Sequence, residues 1–290
     1  MNILIASDKN YLEFYETMLF SLSRCVHEKI NVYFLNYIIS DNDIESFTNS
    51  IQRYGIDISV IKISMNDFAG FPVREGITQE TYLRLLSQYV LPDDLERILY
   101  LDADMIIRKD ISDFYYQDFE GNCFIGCEDR ANDTDLGQRI KKKIGLPESH
   151  VYINAGVLLM NLDLLRTIIT RQELVEKCNE YRDRLSYFDQ DLINLIFRDK
   201  IKYADSSKYN CQLDINGDLP VKSIDDVYIL HYAGKKPWTY YGLTKDSIYF
   251  SSVRAKQNKA LRKKTKSLYR YKIIDLLQEL KIYIKQYISL

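Results

Sequence analysis

The chain has 290 residues, of which 46% are apolar and 28% charged, the balance of an ordinary folded domain. No run approaches the ~20 apolar residues that a transmembrane helix needs, and nothing repeats as collagen or a solenoid does. A net charge of −2 conceals an asymmetry: residues 256–290 hold ten Lys or Arg against Asp275 and Glu279, while the rest carries −10. An acidic body with a basic end is not the footprint of a general nucleic-acid binder, whose positive charge spreads over the domain.

In chain order, residues 3–6 predict a first strand, 11–24 a helix and 31–37 a second strand. Ser40, with Asp43 three residues on, predicts a helix start, and the helix runs to about residue 54. Residues 57–63 alternate as a third strand, and 79–89 form a helix that must stop before Pro92. Residues 97–101 are a fourth strand. Strands and helices in strict alternation predict a parallel sheet wrapped by helices, with ligands bound outside the carboxyl ends of its strands.

The second half is less regular. Residues 121–127 read as a strand ending near Asp129, 134–144 as a helix, and 151–162 as a mixed segment containing Asn154-Ala155-Gly156. Helices follow over 171–185 and 189–197, then an apolar strand over 227–230 that runs into His231. Residues 252–267 are basic and poor in apolar side chains, so they read as a linker. Residues 267–290 regain a helical period through Ile273, Leu277, Leu280, Ile284 and Ile288. The expected organisation is one α/β domain over residues 1–251, followed by a basic linker and amphipathic helical tail over 252–290.

Five cysteines (Cys25, Cys123, Cys127, Cys178, Cys211) are odd in number and irregularly spaced. No second pair at zinc spacing accompanies Cys123 and Cys127, so all five read as buried thiols of a reducing compartment. The apolar run before Asp8 is too short for a signal peptide, which points to the cytoplasm.

The fourth strand delivers the chemistry. Asp102 and Asp104 follow Arg97-Ile98-Leu99-Tyr100-Leu101, and in an extended backbone side chains two positions apart share one side. Two carboxylates held that close repel unless a cation lies between them. Hard divalent ions such as Mg²⁺ or Mn²⁺ are commonly shared between carboxylates and substrate phosphates. The pair therefore predicts a metal-bridged phosphate site. Asp8, at the end of the first strand, is expected in the same crevice. No Gly-x-Gly-x-x-Gly follows that strand and no P-loop motif occurs, which argues against a dinucleotide-binding fold and a P-loop. His27 and His150 lack comparable context and read as surface residues.

Six segments together resemble glycosyltransferase family 8, which includes glycogenin and the bacterial lipopolysaccharide galactosyltransferases and glucosyltransferases. They are Ala6-Ser7-Asp8-Lys9-Asn10-Tyr11, Thr81-Tyr82-Leu83-Arg84-Leu85, Tyr100-Leu101-Asp102-Ala103-Asp104, Tyr152-Ile153-Asn154-Ala155-Gly156-Val157, Phe188-Asp189-Gln190-Asp191 and His231-Tyr232-Ala233-Gly234-Lys235-Lys236-Pro237-Trp238. The resemblance implies a GT-A nucleotide-diphospho-sugar transferase fold, with a Rossmann-like mixed sheet flanked by helices. It implies a retaining transfer of glucose or galactose from UDP, with Mn²⁺ or Mg²⁺, to an oligosaccharide or glycolipid acceptor of a surface glycan.

Carried over residue by residue, the resemblance makes Asp102, Asp104 and His231 the metal ligands. Ala6, Asp8, Asn10 and Tyr11 would meet the nucleotide, with Tyr11 stacking on the base. Arg84, Ala103, Asp129, Asn154, Gly156, Asp189 and Gln190 would line the donor. Gly234 and Lys236 would reach the diphosphate, although the loop between Gly234 and Pro237 is one residue shorter than the family pattern. Gln190, an amide and a poor nucleophile, favours front-face displacement, with Asp189 the nucleophile of the rival double displacement. The basic tail would contact a membrane from its inner face. Two other readings fit the double acid alone: a metal-dependent phosphohydrolase and a non-catalytic sugar-nucleotide sensor.

Overall fold

A computed structural model describes residues 1–72, 82–213, 219–239 and 247–257. Ten strands occur among them: β1 (Asn2–Ala6), β2 (Ile30–Asn36), β3 (Ile56–Lys62), β4 (Arg97–Leu101), β5 (Met105–Ile107), β6 (Phe124–Glu128), β7 (Ile153–Asn161), β8 (Ile201–Ala204), β9 (Cys211–Gln212) and β10 (Ile229–His231). The main sheet has the order β3-β2-β1-β4-β7-β6-β8. Its first four strands are parallel, as the alternating pattern predicts; β7 runs antiparallel to both β4 and β6, so the whole sheet is mixed. Helices flank it, the arrangement that the resemblance implies for a GT-A fold.

Local sequence explains the parallel half. Ile3, Leu4 and Ile5 are completely buried, as a strand covered on both faces requires. The helix Leu12–Cys25 presents Tyr15, Met18, Leu19 and Leu22 to the core at helical spacing. Ser40 caps the next helix, Asp41–Gln52, by accepting from the Asp43 amide. The chain places β2 and β3 on one side of β1 and then returns to put β4 on the other. In open α/β sheets a reversal of this kind, here between β1 and β4, is where ligands bind, outside the carboxyl ends of the strands. Ala6 and Leu101 end these two strands, and the acids follow.

A second, three-stranded sheet, β5-β10-β9, extends from the acidic pair. Its pairing β10–β5 sets His231 opposite Met105, the residue directly after Asp104. This register brings the distant histidine to the acids.

The structure departs from sequence expectation in several places. Strands β5, β8 and β9 and the helix Leu162–Ile168 were not expected, being too short to show a period. The helix expected from residue 79 is Leu83–Val90; residues 79–81 lie outside the described residues. His150 is half-buried against Asn194 rather than on the surface, whereas His27 is exposed. All five cysteines are free thiols; four are buried and Cys25 is half-buried.

The chain clusters into two compact units, Met1–Gln212 with Val221–His231, and Leu213–Pro220 with Tyr232–Leu290. In the second, Phe250 packs against the rings of Tyr232 and Trp238, with centroids 5.6 and 5.5 Å away. The helix Ser247–Gln257 runs across residues 252–257, so the start of the expected linker is helical. The amphipathic tail expected over 267–290 lies outside the described residues. Among the described residues, no helix is long and apolar enough to cross a membrane.

Candidate active site

β4 ends at Leu101, which pairs with Val157 of β7, and the Asp102 amide donates to the Gly156 carbonyl at 2.9 Å. On its other edge β7 slips register: Gly126 faces Leu158, but Cys127 faces Asn154. Ala155, Gly156 and Val157 are thus left without β6 partners, an irregularity in the stretch of β7 that meets the end of β4.

Asp102, Asp104 and His231 each offer a ligand atom, and these atoms all lie within 4.8 Å of one another. Asp104 and His231 are 5% and 2% exposed, with His231 Nε2 3.4 Å from Asp104 Oδ1. Gly156 makes the approach possible. A Cβ there would sit 2.6 Å from His231 Cε1 and 2.7 Å from Asp102 Oδ2, well inside contact distance. Two carboxylates and one imidazole, converging in a cradle that a methyl group would fill, suit a divalent ion of the Mn²⁺ or Mg²⁺ class. The predicted metal ligands are therefore together.

Behind the acids lies a charged core. Arg84, on the helix Leu83–Val90, donates to Asp102 Oδ1 at 3.1 Å and to the Ala155 carbonyl at 2.6 Å. Its Nε lies 3.5 Å from Asp189 Oδ2 and makes no hydrogen bond. Burial pulls the Arg84 guanidinium down, but Tyr100, Asp189 and Asp102 outweigh it and hold it above its ordinary pKa. Burial pushes the Asp189 carboxyl up; Arg84 opposes this and Asp102 adds to it.

Asp129, Asn154 and Gln190 form one network. The Asn154 amide donates to Asp129 Oδ2 at 3.0 Å and to Gln190 Oε1 at 3.2 Å. Gln190 Nε2 donates to Asp129 Oδ2 at 3.3 Å, and the Ala155 amide donates to Gln190 Oε1 at 3.0 Å. The helix Phe188–Ile196 carries Asp189 and Gln190 in its first turn, and Phe188 enters it with φ of 42°. Asp191 holds this bend by accepting from the Ser186 and Tyr187 amides and from the Tyr152 hydroxyl. A non-glycine residue in the left-handed region is strained, and such strain collects at functional sites.

The expected nucleotide residues sit at the end of β1. The Asp8 carboxylate accepts from the Asn10 amide at 2.7 Å, and Tyr11 exposes 38% of its surface, so its ring is not a core aromatic. Ala6 is the last residue of β1. Ala103 is buried between the two acids. Gly234 and Lys236 belong to the second unit, where Lys236 Nζ donates to the Tyr232 carbonyl at 3.3 Å.

Sequence reasoning missed Tyr100, Asp191 and Asn210. The Tyr100 hydroxyl donates to Asp102 Oδ1 at 2.7 Å, and Asn210 Oδ1 lies 2.7 Å from His231 Nδ1. Tyr100 stands in the motif itself, so its polar end next to a carboxylate was the available signal. Nothing near Asn210 marked it.

A family model described as Glycosyl transferase family 8 matches residues 2–242. A Haemophilus influenzae protein named as a glycosyltransferase is 29% identical over 208 residues, 71% of this chain; the chain spans 62% of that protein, under two thirds. The lipopolysaccharide 1,3-galactosyltransferase of Salmonella typhimurium is 27% identical over 89% of this chain and 78% of its own length. Among solved structures, the galactosyltransferase LgtC in complex with donor and acceptor sugar analogs superposes with a TM-score of 0.75. It is 25% identical over 91% of this chain and 100% of that one.

Proposed function

The chain belongs to glycosyl transferase family 8, and from that premise we propose a retaining, UDP-sugar-dependent hexosyltransferase. It moves glucose or galactose to an oligosaccharide or glycolipid acceptor of a surface glycan. The observation that carries this reading is the convergence of Asp102, Asp104 and His231 at the carboxyl end of β4, beside the reversal of strand order.

Asp102, Asp104 and His231 would hold Mn²⁺ or Mg²⁺. Such an ion supplies positive charge that stabilises the departing diphosphate. Lys236 adds a second positive contact to that leaving group. Asp8 accepts from the base, Tyr11 stacks on it, and Ala6 and Asn10 shape the pocket around it. Arg84 steadies both Asp102 and Asp189, which ties the metal side of the site to the sugar side. Asp129, Asn154 and Asp189 meet sugar hydroxyls, and Gly156 permits close approach of the backbone.

Gln190 already donates to Asp129 and accepts from Ala155 and Asn154, so its amide is a fixed dipole and a poor nucleophile. Front-face displacement follows from that choice. The acceptor hydroxyl oxygen bonds to the anomeric carbon as the bond from that carbon to the diphosphate oxygen breaks. The hydroxyl proton passes to the leaving phosphate, and Gln190 would help stabilise the positive charge on the ring. A screen of UDP-glucose and UDP-galactose with Mn²⁺, with and without oligosaccharide acceptors, tests the reading. Transfer with retained anomeric configuration is expected; turnover of simple phosphate monoesters, or binding with no turnover, would sink it.

The basic stretch 256–290 is read from its composition as a peripheral membrane contact on the cytoplasmic side. Sedimentation with anionic vesicles should lose the protein from the pellet when residues 256–290 are deleted.

A further inference from the structure

We propose that Asn210 is a positioning residue that fixes the tautomer of His231 and links the metal ligands to the donor-sugar network; this rests on the metal site proposed above. Asn210 is 1% exposed and precedes β9, whose parallel pairing with β10 sets Gln212 beside His231. Its side chain lies between two partners. Asn210 Nδ2 donates to Asn154 Oδ1 at 3.0 Å, and Asn210 Oδ1 lies 2.7 Å from His231 Nδ1.

The polarity of this chain of contacts is dictated from one end. The Gly156 backbone N–H can only donate, and it meets Asn154 at 3.0 Å, so the Asn154 atom there must be its oxygen. The Asn210 atom facing that oxygen must then be its NH₂ group. Its carbonyl is thereby turned to His231, and the His231 nitrogen that meets a carbonyl carries the proton. The proton sits on Nδ1. Nε2, the nitrogen 3.4 Å from Asp104, keeps a lone pair for an ion whenever the ring is neutral.

Two functions follow from one amide. Toward His231, Asn210 does what the outer partner of a metal-bound histidine does: it holds ring orientation and protonation. Toward Asn154, it holds the oxygen that leaves the Asn154 NH₂ group directed at Asp129 and Gln190. Leucine at position 210 keeps the bulk and removes both bonds. Aspartate keeps an oxygen for His231 but removes the donor that Asn154 Oδ1 needs.

The test begins with the metal-free protein, where nitrogen-15 correlation spectra of the histidine rings at pH 8 report the tautomer and H231Q assigns the signal. Protonated Nδ1 is expected in the unmodified protein, and loss of that preference in Asn210→Leu. Manganese affinity, read by the electron paramagnetic resonance of free Mn²⁺, should fall about 10- to 100-fold in Asn210→Leu. It should stay within about threefold of the unmodified protein in Asn210→Asp, which retains the oxygen partner of His231. Should Asn210→Leu not fold, Asn210→Ala replaces it with the same expectation. A His231 protonated at Nε2, or manganese affinity untouched by the leucine or alanine change, overturns the proposal. No Asp102- and Asp104-dependent manganese binding in the unmodified protein would instead overturn the metal reading on which it rests.

Discussion

The Arg84 guanidinium sits over the Tyr100 ring, its central carbon 3.8 Å from the ring centre, and both residues donate to the same oxygen of Asp102. The stacking and the shared acceptor hold Asp102 with its second oxygen toward Gly156 and His231. Lysine cannot reproduce a planar fork that stacks and donates at once. Arg84→Lys should lower kcat/KM about 10- to 100-fold, the loss of one or two charge-assisted hydrogen bonds. Arg84→Leu, which strands two carboxylates, should also reduce folding stability by about 3 kcal/mol. Initial-rate kinetics and urea unfolding measure the two effects.

Gly156→Ala should disable the site more than the fold. The added methyl would meet His231 and Asp102 at distances no real contact shows. Overpacking of this kind costs about 1–3 kcal/mol, which most folds survive. The expected result is a folded protein, by circular dichroism, without measurable manganese-dependent transfer.

Asp104→Asn should uncouple stability from metal. In the unmodified protein, Mn²⁺ with UDP at 100 times Kd should raise unfolding free energy by about 2.7 kcal/mol. The variant should show no such rise in a thermal melt under the same conditions. Retention of the full rise would remove Asp104 from the ligand set.

His150, which meets Asn194, provides a pH dependence outside the candidate metal ligands. Burial holds this histidine below its ordinary pKa of 6.5, the Asn194 contact opposes this, and Lys141 adds to it. The unfolded chain therefore binds the proton more readily than the folded one. The stability this neutral ring lends is complete above about pH 6.5 and is lost as pH falls through the lower folded value. Urea unfolding between pH 7 and 5 should show a shallower decline for His150→Gln than for the unmodified protein.

How much of this was legible in the sequence depends on range. β1 to β4 and their helices announce themselves through local periods, and Asp102 and Asp104 through their spacing on a strand. Relations set by register are silent. His231 reaches Asp104 because β10 pairs with a three-residue strand, β5, too short to show alternation. The slip between Gly126 and Cys127, which frees Ala155 to Val157, leaves no trace in a fully buried strand. Asn210 illustrates the limit: a metal-bound histidine needs an acceptor for its second nitrogen, but only the fold selects which amide supplies it.

Asp102 follows β4 of the large sheet, whereas Asp104 precedes β5 and the imidazole belongs to β10, both strands of the small one. An ion gripped by all three acts as a rivet between two hydrogen-bonded ladders. Loading it should slow amide exchange at Leu230 and Cys211 as much as at Leu101, so that occupancy would stiffen both ladders together.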